Sequence, residues 1–200
     1  MTILTQLPEI ATLHRECTIN WKDNGVKLNQ DGFLKIVEEN HAFNYQLWHA
    51  EDRARREDMG FEYVYLAKRE IDKHNQQRNN RMEAMDEWLF IQLKPETDPT
   101  CQVHSETPGM MIDRLSILAL KAYHMALQMT RKDVDELHRQ TCLNKLHIIE
   151  KQQTQLHHCL LTLLLEIKNQ SRTFNVYHQF KMYNDPALNP ELYQKIGVEQ

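Results

Sequence analysis

The scarcity of glycine and proline most limits what this chain can fold into. Its 200 residues include five Gly and six Pro, and the prolines lie near the two ends or between residues 95 and 108. Because these residues form most tight turns, their scarcity predicts few turns and therefore long helices. Apolar residues make up 41% of the chain and charged residues 26%, which is typical of a globular protein with a sizeable core.

The turn and capping residues predict five helices, at about 8–22, 31–57, 61–93, 108–130 and 134–170. Thr107 and Pro108 have the residue types of an N-cap and a first helical position, and Asp133 is the predicted cap of the fifth helix. Only about three residues separate the second and third helices. These two helices should therefore form an antiparallel hairpin in which residues whose numbers sum to about 120 lie side by side. The predicted fold is an all-α, single-domain bundle over residues 1–200 with an irregular C-terminal tail.

Charge and hydropathy exclude two classes of function. The formal net charge is −4 and no basic stripe is present, so nucleic acid is not an expected partner. The N-terminus lacks the pattern of a signal peptide, and the longest apolar run, 159–165, is too short to span a bilayer. The four cysteines form no CxxC pair. These features predict a cytoplasmic protein with reduced thiols.

Polar residues interrupt the stripes that should form the core of the hairpin. One face of the second helix carries Leu34, Val37, His41, Asn44, Trp48, Asp52 and Arg55, and one face of the third carries Phe61, Val64, Lys68, Asp72, Asn75, Asn79, Glu83, Asp86, Phe90 and Leu93. One interpretation is a solvated face, with the core formed by neighbouring apolar residues. The other is a polar site, since Asn, His and Asp are poor helix formers and unusual on a solvated face.

The fourth helix is apolar nearly all round, which predicts a central position. Asp113, Ser116 and His124 lie along one of its faces and would need polar partners; for His124 alone we favour a structural role. We predict that Trp48, Asp72, Asn75 and Asp113 are buried around one cavity. The full predicted ligand-binding set is His41, Asn44, Trp48, Asp52, Arg55, Lys68, Asp72, Asn75, Asn79, Asp113, Arg114, Ser116 and Lys181.

A weaker signal concerns a metal ion. Glu83 and Asp86 form an ExxD on one helical face, which resembles half of the magnesium site of the all-α nucleotide pyrophosphatases, but the matching upstream ExxE is absent. Carboxylate oxygens suit Mg²⁺, so Asp72, Glu83 and Asp86 are the predicted ligands and Mg²⁺ is the one cofactor that the residues favour. Walker A, GxGxxG, GxSxG, HExxH and CxxC motifs are absent.

Four stretches resemble one bacterial family, known as domain of unknown function 4254. They are Asn44–Arg55, Lys68–Asn79, Ser105–Lys121, and the tail segments Gln179–Pro186 and Leu188–Pro190, so that the resemblance covers about residues 31–192. The family brings no activity with it. Its members often look like neighbours of glycosyltransferases and cell-envelope sugar genes, which implies a pathway and not a reaction.

Two functions follow as hypotheses. The first is a cytoplasmic protein whose polar pocket inside the bundle binds a phosphorylated or nucleotide-linked sugar, with cations such as Arg55, Lys68 and Arg114 facing phosphate oxygens. The second is a non-catalytic accessory partner of a glycosyltransferase, in which the polar seam only fixes helix register. A homodimer is compatible with either hypothesis, and the sequence leaves open whether the protein is an enzyme.

Overall fold

The chain forms a helical bundle in a computed structural model that describes residues 3–194. Within these residues the α-helices are α1 (Ile3–Asn24), α2 (Gly32–Ala54), α3 (Phe61–Leu93), α4 (Pro108–Met129), α5 (Glu136–Lys168) and the short α6 (Pro190–Tyr193). Two 3₁₀ turns cover Glu57–Met59 and Met182–Asn184. The described residues contain no strand beyond one isolated bridge between Val103 and Thr173. The all-α prediction is confirmed.

Helices α2 and α3 form the predicted antiparallel hairpin. Gly60 lies between them with a φ of 90°, a conformation that favours glycine. The register is visible in three cross-helix contacts: Arg53 with Glu70, Arg81 with Glu39, and Asn40 with the carbonyl of Arg78. The numbers in each pair sum to within three of 120. The predicted register is therefore confirmed.

Helix α4 is central, as predicted, because it packs against α1, α2, α3 and α5. Nine of its residues are buried, which accounts for its nearly continuous apolar surface. Thr107 is its N-cap and accepts a hydrogen bond from the backbone N–H of Met110 at 3.2 Å, and Pro108 follows at the first helical position. The main core joins residues of α1 to α5, among them Trp21, Phe33, Met85, Ile112 and Leu160, to Phe174 in the segment after α5.

Two helix starts differ from their predictions. Helix α1 begins at Ile3 and not at residue 8, because Ile3 and Leu7 are buried in the core and hold an extra turn before Pro8. Helix α5 is capped by Asp135, whose carboxylate accepts from the N–H of His138 at 2.7 Å. Asp133, the predicted cap, is instead paired with Arg131 in the preceding bend.

The chain after α5 returns across the bundle. Thr173 exchanges backbone hydrogen bonds with Gln102 and His104, and Phe174 is fully buried beside them. The tail then reaches α3, where Glu83 accepts hydrogen bonds from His178 and Gln179. Among residues 3–194, no helix has the length and apolar character needed to cross a membrane.

Candidate functional site

An open cleft of about 340 Å³ lies where α2, α3 and α4 meet. It is lined by Asn44, Leu47, Trp48, Glu51, Asp52, Arg55, Asn75, Arg78, Ile117 and Leu120. On α2 these residues recur at intervals of three and four, which places them on one helical face. Asn75 and Arg78 on α3, and Ile117 and Leu120 on α4, show the same spacing. The cleft therefore combines an apolar wall with amides, carboxylates and guanidinium groups.

Trp48 forms one aromatic side of this cleft. Its ring stacks on His124 of α4 with centroids 4.3 Å apart and an angle of 6° between the planes. Burial lowers the pKa of His124, and the nearby His49 lowers it further. His124 is therefore neutral at pH 7, which suits a flat stack against the indole. The interpretation of His124 as a structural residue agrees with this packing.

Asp113 of α4 organises the floor of the cleft. Its Oδ1 accepts hydrogen bonds from the side-chain amides of Asn40 at 3.0 Å and Asn44 at 2.9 Å. The carboxylate is 5% exposed, so these donors replace the water that it loses on folding. The Nε of Arg78 lies 3.6 Å from the same oxygen. Two helices of the hairpin thus meet at one buried acid of α4.

A chain of hydrogen bonds continues from this floor into the core. Thr18 donates its hydroxyl proton to the carbonyl of His14 at 2.8 Å, so its oxygen must accept from Nε2 of His41 at 2.9 Å. The other ring nitrogen of His41 then accepts from Ser116 at 2.8 Å, and the Ser116 oxygen accepts from Asn44 at 3.0 Å. Because burial keeps His41 neutral, its ring proton lies on Nε2 and each hydrogen bond in the chain has one direction.

Burial explains the charge state of these histidines. It lowers the pKa of His41 to about 3, so the ring remains neutral near pH 7. His14 stacks on His41 at a centroid distance of 4.6 Å, and neither of its ring nitrogens has a partner among the described residues. Burial and the neighbouring His41 lower the pKa of His14 well below its ordinary value. The network therefore positions side chains and is not a store of protons near pH 7.

Arg78 brings a guanidinium group with a buried, unbonded nitrogen to the cleft. It donates no hydrogen bond to any described residue, and its buried Nε has no acceptor in hydrogen-bonding range. Its side chain is 27% exposed and lines the cleft. The acid beside it, Asp113, already accepts from two amides. The guanidinium is therefore held in place with donors still available.

The three predicted metal ligands are not brought together. Asp72 pairs with Lys68, Glu83 binds the tail, and Asp86 accepts hydrogen bonds from the hydroxyl of Thr107 and the N–H of Gly109. Burial raises the pKa of Asp86 to about 6, and its role is to hold the start of α4. Residues 3–194 contain no group of three or more His, Cys, Asp or Glu side chains that could hold a metal ion. The expected Mg²⁺ site is thus not formed by these residues.

The structure divides the predicted ligand-binding residues into several places. Five line the cleft: Asn44, Trp48, Asp52, Arg55 and Asn75. His41, Asp113 and Ser116 form the network beneath it, and Asn79 is buried on α3. The remaining predicted residues lie elsewhere: Lys68 and Asp72 at the surface, Arg114 in a neighbouring cleft where it pairs with Glu106, and Lys181 on the tail.

The prediction that Asp72 is buried is wrong. Its side chain is 39% exposed and its carboxylate lies 2.8 Å from Nζ of Lys68, one turn earlier on α3. The side chain of Lys68 is 61% exposed, so water can solvate both charges. Asn75 and Trp48 are half-buried at the cleft, and Asp113 is buried as predicted. The solvated-face interpretation therefore holds for the turn of α3 that carries Lys68 and Asp72.

Several residues of the site were missed. Arg78 follows Asn75 by three residues and Asn40 precedes Asn44 by four, so helical spacing alone could have included both. Glu51 adjoins Asp52 in the cleft. Thr18 lies on α1, far away in sequence, and nothing in the sequence connects it to His41.

The comparison with protein families agrees with this architecture. A family model described as "Protein of unknown function (DUF4254)" matches residues 34–176. The chain belongs to the DUF4254 family. The DUF4254 match includes α3, α4, α5 and nearly all of α2, and therefore every residue that lines the cleft. It is shorter than the expected 31–192 and ends before the tail segment that carries Lys181. No curated protein and no solved structure matches the chain.

Proposed function

We propose that the cleft between α2, α3 and α4 binds a phosphorylated sugar, either free or linked to a nucleotide. The observation that carries this proposal is Arg78, a guanidinium that Asp113 holds at the floor of the cleft while its donors remain without acceptors. A guanidinium presents a planar fork that matches two phosphate oxygens. A phosphate at this position would supply the acceptors that the described residues do not provide.

The remainder of the lining suits the sugar. Asn75, Glu51 and Asp52 offer amide and carboxylate groups that can exchange hydrogen bonds with hydroxyls. Trp48 offers an aromatic surface for the C–H groups of a pyranose ring. A volume of about 340 Å³ lies near the lower end for ligand pockets, which favours a monosaccharide phosphate over a larger ligand. A nucleotide linked to that phosphate would extend into the open mouth.

Binding is tested by thermal unfolding and calorimetry with glucose 1-phosphate, UDP-glucose and unphosphorylated glucose, each with and without Mg²⁺. A ligand at 100 times its Kd should stabilise the protein by about 2.7 kcal/mol. We expect this stabilisation with at least one phosphorylated ligand and not with glucose. Equal responses to phosphorylated and unphosphorylated sugars would contradict the role of Arg78.

The variant series separates the fork of Arg78 from its charge. Arg78→Lys keeps the charge beside Asp113 and loses the planar fork, so it should remain folded and bind phosphorylated sugar at least tenfold more weakly, as expected for about 1.4 kcal/mol or more. Arg69→Lys, at an exposed position of the same helix, is the matched control and should bind as the wild type does. A wild-type protein that binds none of the three ligands would overturn the proposal and favour the accessory role beside a glycosyltransferase.

A further inference from the structure

The C-terminal tail lies along α3, next to the cleft. Glu83 fixes its direction by accepting hydrogen bonds from the N–H of Gln179 at 2.7 Å and the ring of His178 at 3.2 Å. Farther along the tail, Lys181 and Gln76 line a shared hollow of about 480 Å³. Gln76 is about two helical turns before Glu83, so the tail runs antiparallel to α3. Lys181 is thereby level with the turn of α3 that carries Arg78.

Two cations are close to each other at this turn. Partial burial lowers the pKa of Lys181, and the positive charge of Arg78 lowers it further, whereas Asp72 raises it. Asp113 lies beside Arg78 and Asp72 acts on Lys181, and each of these acids also has other partners. Asp113 accepts from Asn40 and Asn44, and Asp72 is paired with Lys68 at 2.8 Å. An anion bound between the two cations would reduce the repulsion between them.

The cleft and the hollow beneath the tail are lined by consecutive residues of α3. Asn75 lines the cleft and the next residue, Gln76, lines the hollow beneath the tail. A phosphate bound by Arg78 at the edge of the cleft would therefore be close to the part of α3 that Lys181 faces. A flexible lysine can approach such a phosphate as a point charge while the arginine binds it with its fork.

We propose that Lys181 and Arg78 bind the same phosphate, so that a phosphorylated ligand in the cleft holds tail residues 177–189 against α3. This inference rests on the proposed function and assigns Lys181 as a second phosphate-binding residue. Binding would add a charge-assisted contact between the tail and the bundle to those that Glu83 already makes.

The affinity test compares Lys181→Gln and Lys181→Arg with a control, Lys73→Gln. The control removes an exposed lysine from α3, three residues before Gln76. Calorimetry with glucose 1-phosphate and with inorganic phosphate should show about tenfold weaker binding for Lys181→Gln, the loss expected for one charge-assisted contact. Lys181→Arg should stay within about threefold of the wild type, because it preserves the charge. The control should be unchanged.

Proteolysis gives a second readout that affinity alone does not. Tyr177, Phe180 and Tyr183 are exposed sites for chymotrypsin on either side of Lys181. Glucose 1-phosphate should slow cleavage at these residues in the wild type and should give no protection in Lys181→Gln. Full protection of Lys181→Gln by the ligand would overturn the inference.

The outcomes distinguish this inference from the proposed function. If Arg78→Lys loses affinity while Lys181→Gln binds and is protected as the wild type is, Lys181 is not a phosphate-binding residue and the proposed function stands. If the wild type binds neither inorganic phosphate nor glucose 1-phosphate, both proposals fall together. Weaker binding by Lys181→Gln and by the Lys73→Gln control alike would also overturn the specific role, because it would indicate only a general effect of positive charge.

Discussion

Polar side chains are buried in one half of the α2–α3 hairpin and exposed to water in the other. Near its middle, α4 covers the hairpin, and Asn40, Asn44 and Asp113 form a network with no more than 5% exposure of each residue. Towards the connection between the two helices, the charges are paired at the surface, as in Lys68 with Asp72. The same kind of helical stripe therefore becomes a buried network in one half and a solvated face in the other.

The difference comes from α4, which packs over only one half of the hairpin. Towards the connection, the apolar contact between α2 and α3 is a small cluster around Leu47, Ala50 and Ile71, and Phe61 is 86% exposed. A charge that stays in water needs no partner, whereas a charge under α4 must have one. Whether a polar residue serves stability or solubility is thus decided by what packs over it.

The largest expected effect is at Asp113. Its replacement by Ala leaves the amides of Asn40 and Asn44 without their shared acceptor and the guanidinium of Arg78 without its ion-pair partner, which should cost about 3–5 kcal/mol of unfolding free energy. Urea unfolding measures this loss. The matched variant in the solvated half is Glu70→Ala, which removes the acid of the exposed Arg53 pair and should cost less than about 1 kcal/mol. Equal losses would contradict the comparison.

The second test uses the buried acid of α3. Asp86→Ala leaves the N–H of Gly109 and the hydroxyl of Thr107 without an acceptor and should cost about 2–3 kcal/mol. Because burial raises the pKa of Asp86 to about 6, its stabilising contribution is present at low pH and is lost as the pH rises through about 6. Asp86→Asn should remove this dependence. The measurement is the change in unfolding free energy between pH 4 and pH 7, made for the wild type and for Asp86→Asn. Identical changes in the two proteins would contradict the predicted role of Asp86.

The buried histidines should make the covered half sensitive to acid. Burial lowers the pKa of His14 and His41, so their contribution to stability is present above the ordinary value of 6.5 and decreases as the pH falls below it. Each such group can contribute up to about 1.4 kcal/mol per pH unit in this range. His14→Phe should make the loss of stability between pH 6.5 and 4.5 less steep in urea unfolding. Parallel curves for the variant and the wild type would contradict the burial of His14.

The smallest effect is expected at Asp72. Asp72→Asn removes one partner of an exposed i,i+4 pair with Lys68 and should change the unfolding free energy by no more than about 0.5 kcal/mol. Added salt should reduce even this difference, because exposed pairs are screened. A loss of about 3 kcal/mol would show that this turn is covered in solution, for instance by a second copy of the chain.

Part of the site followed from helical spacing. Asn44, Trp48, Asp52 and Arg55 lie on one face of α2, and the hairpin register brought Asn75 beside them, so five cleft residues could be predicted. The predicted set of site residues was wrong where a residue's role depended on whether another element buries it. Asp72 and Asp86 have the same side chain on the same helix, yet one is solvated and the other holds the start of α4. Their spacing along α3 could not show which one another element would cover.

The sequence by itself determined the helices, the hairpin and the central place of α4, because turn residues, caps and apolar periodicity are local properties of the chain. Tertiary structure decided which polar groups meet. Thr18 reaches His41 across 23 residues, and Asp113 reaches Asn40 across 73. Contacts of this kind depend on how helices pack against one another, and a helical stripe specifies a face without specifying what covers it. The hydrogen bonds of the network formed because α4 excludes the water that would otherwise satisfy these groups.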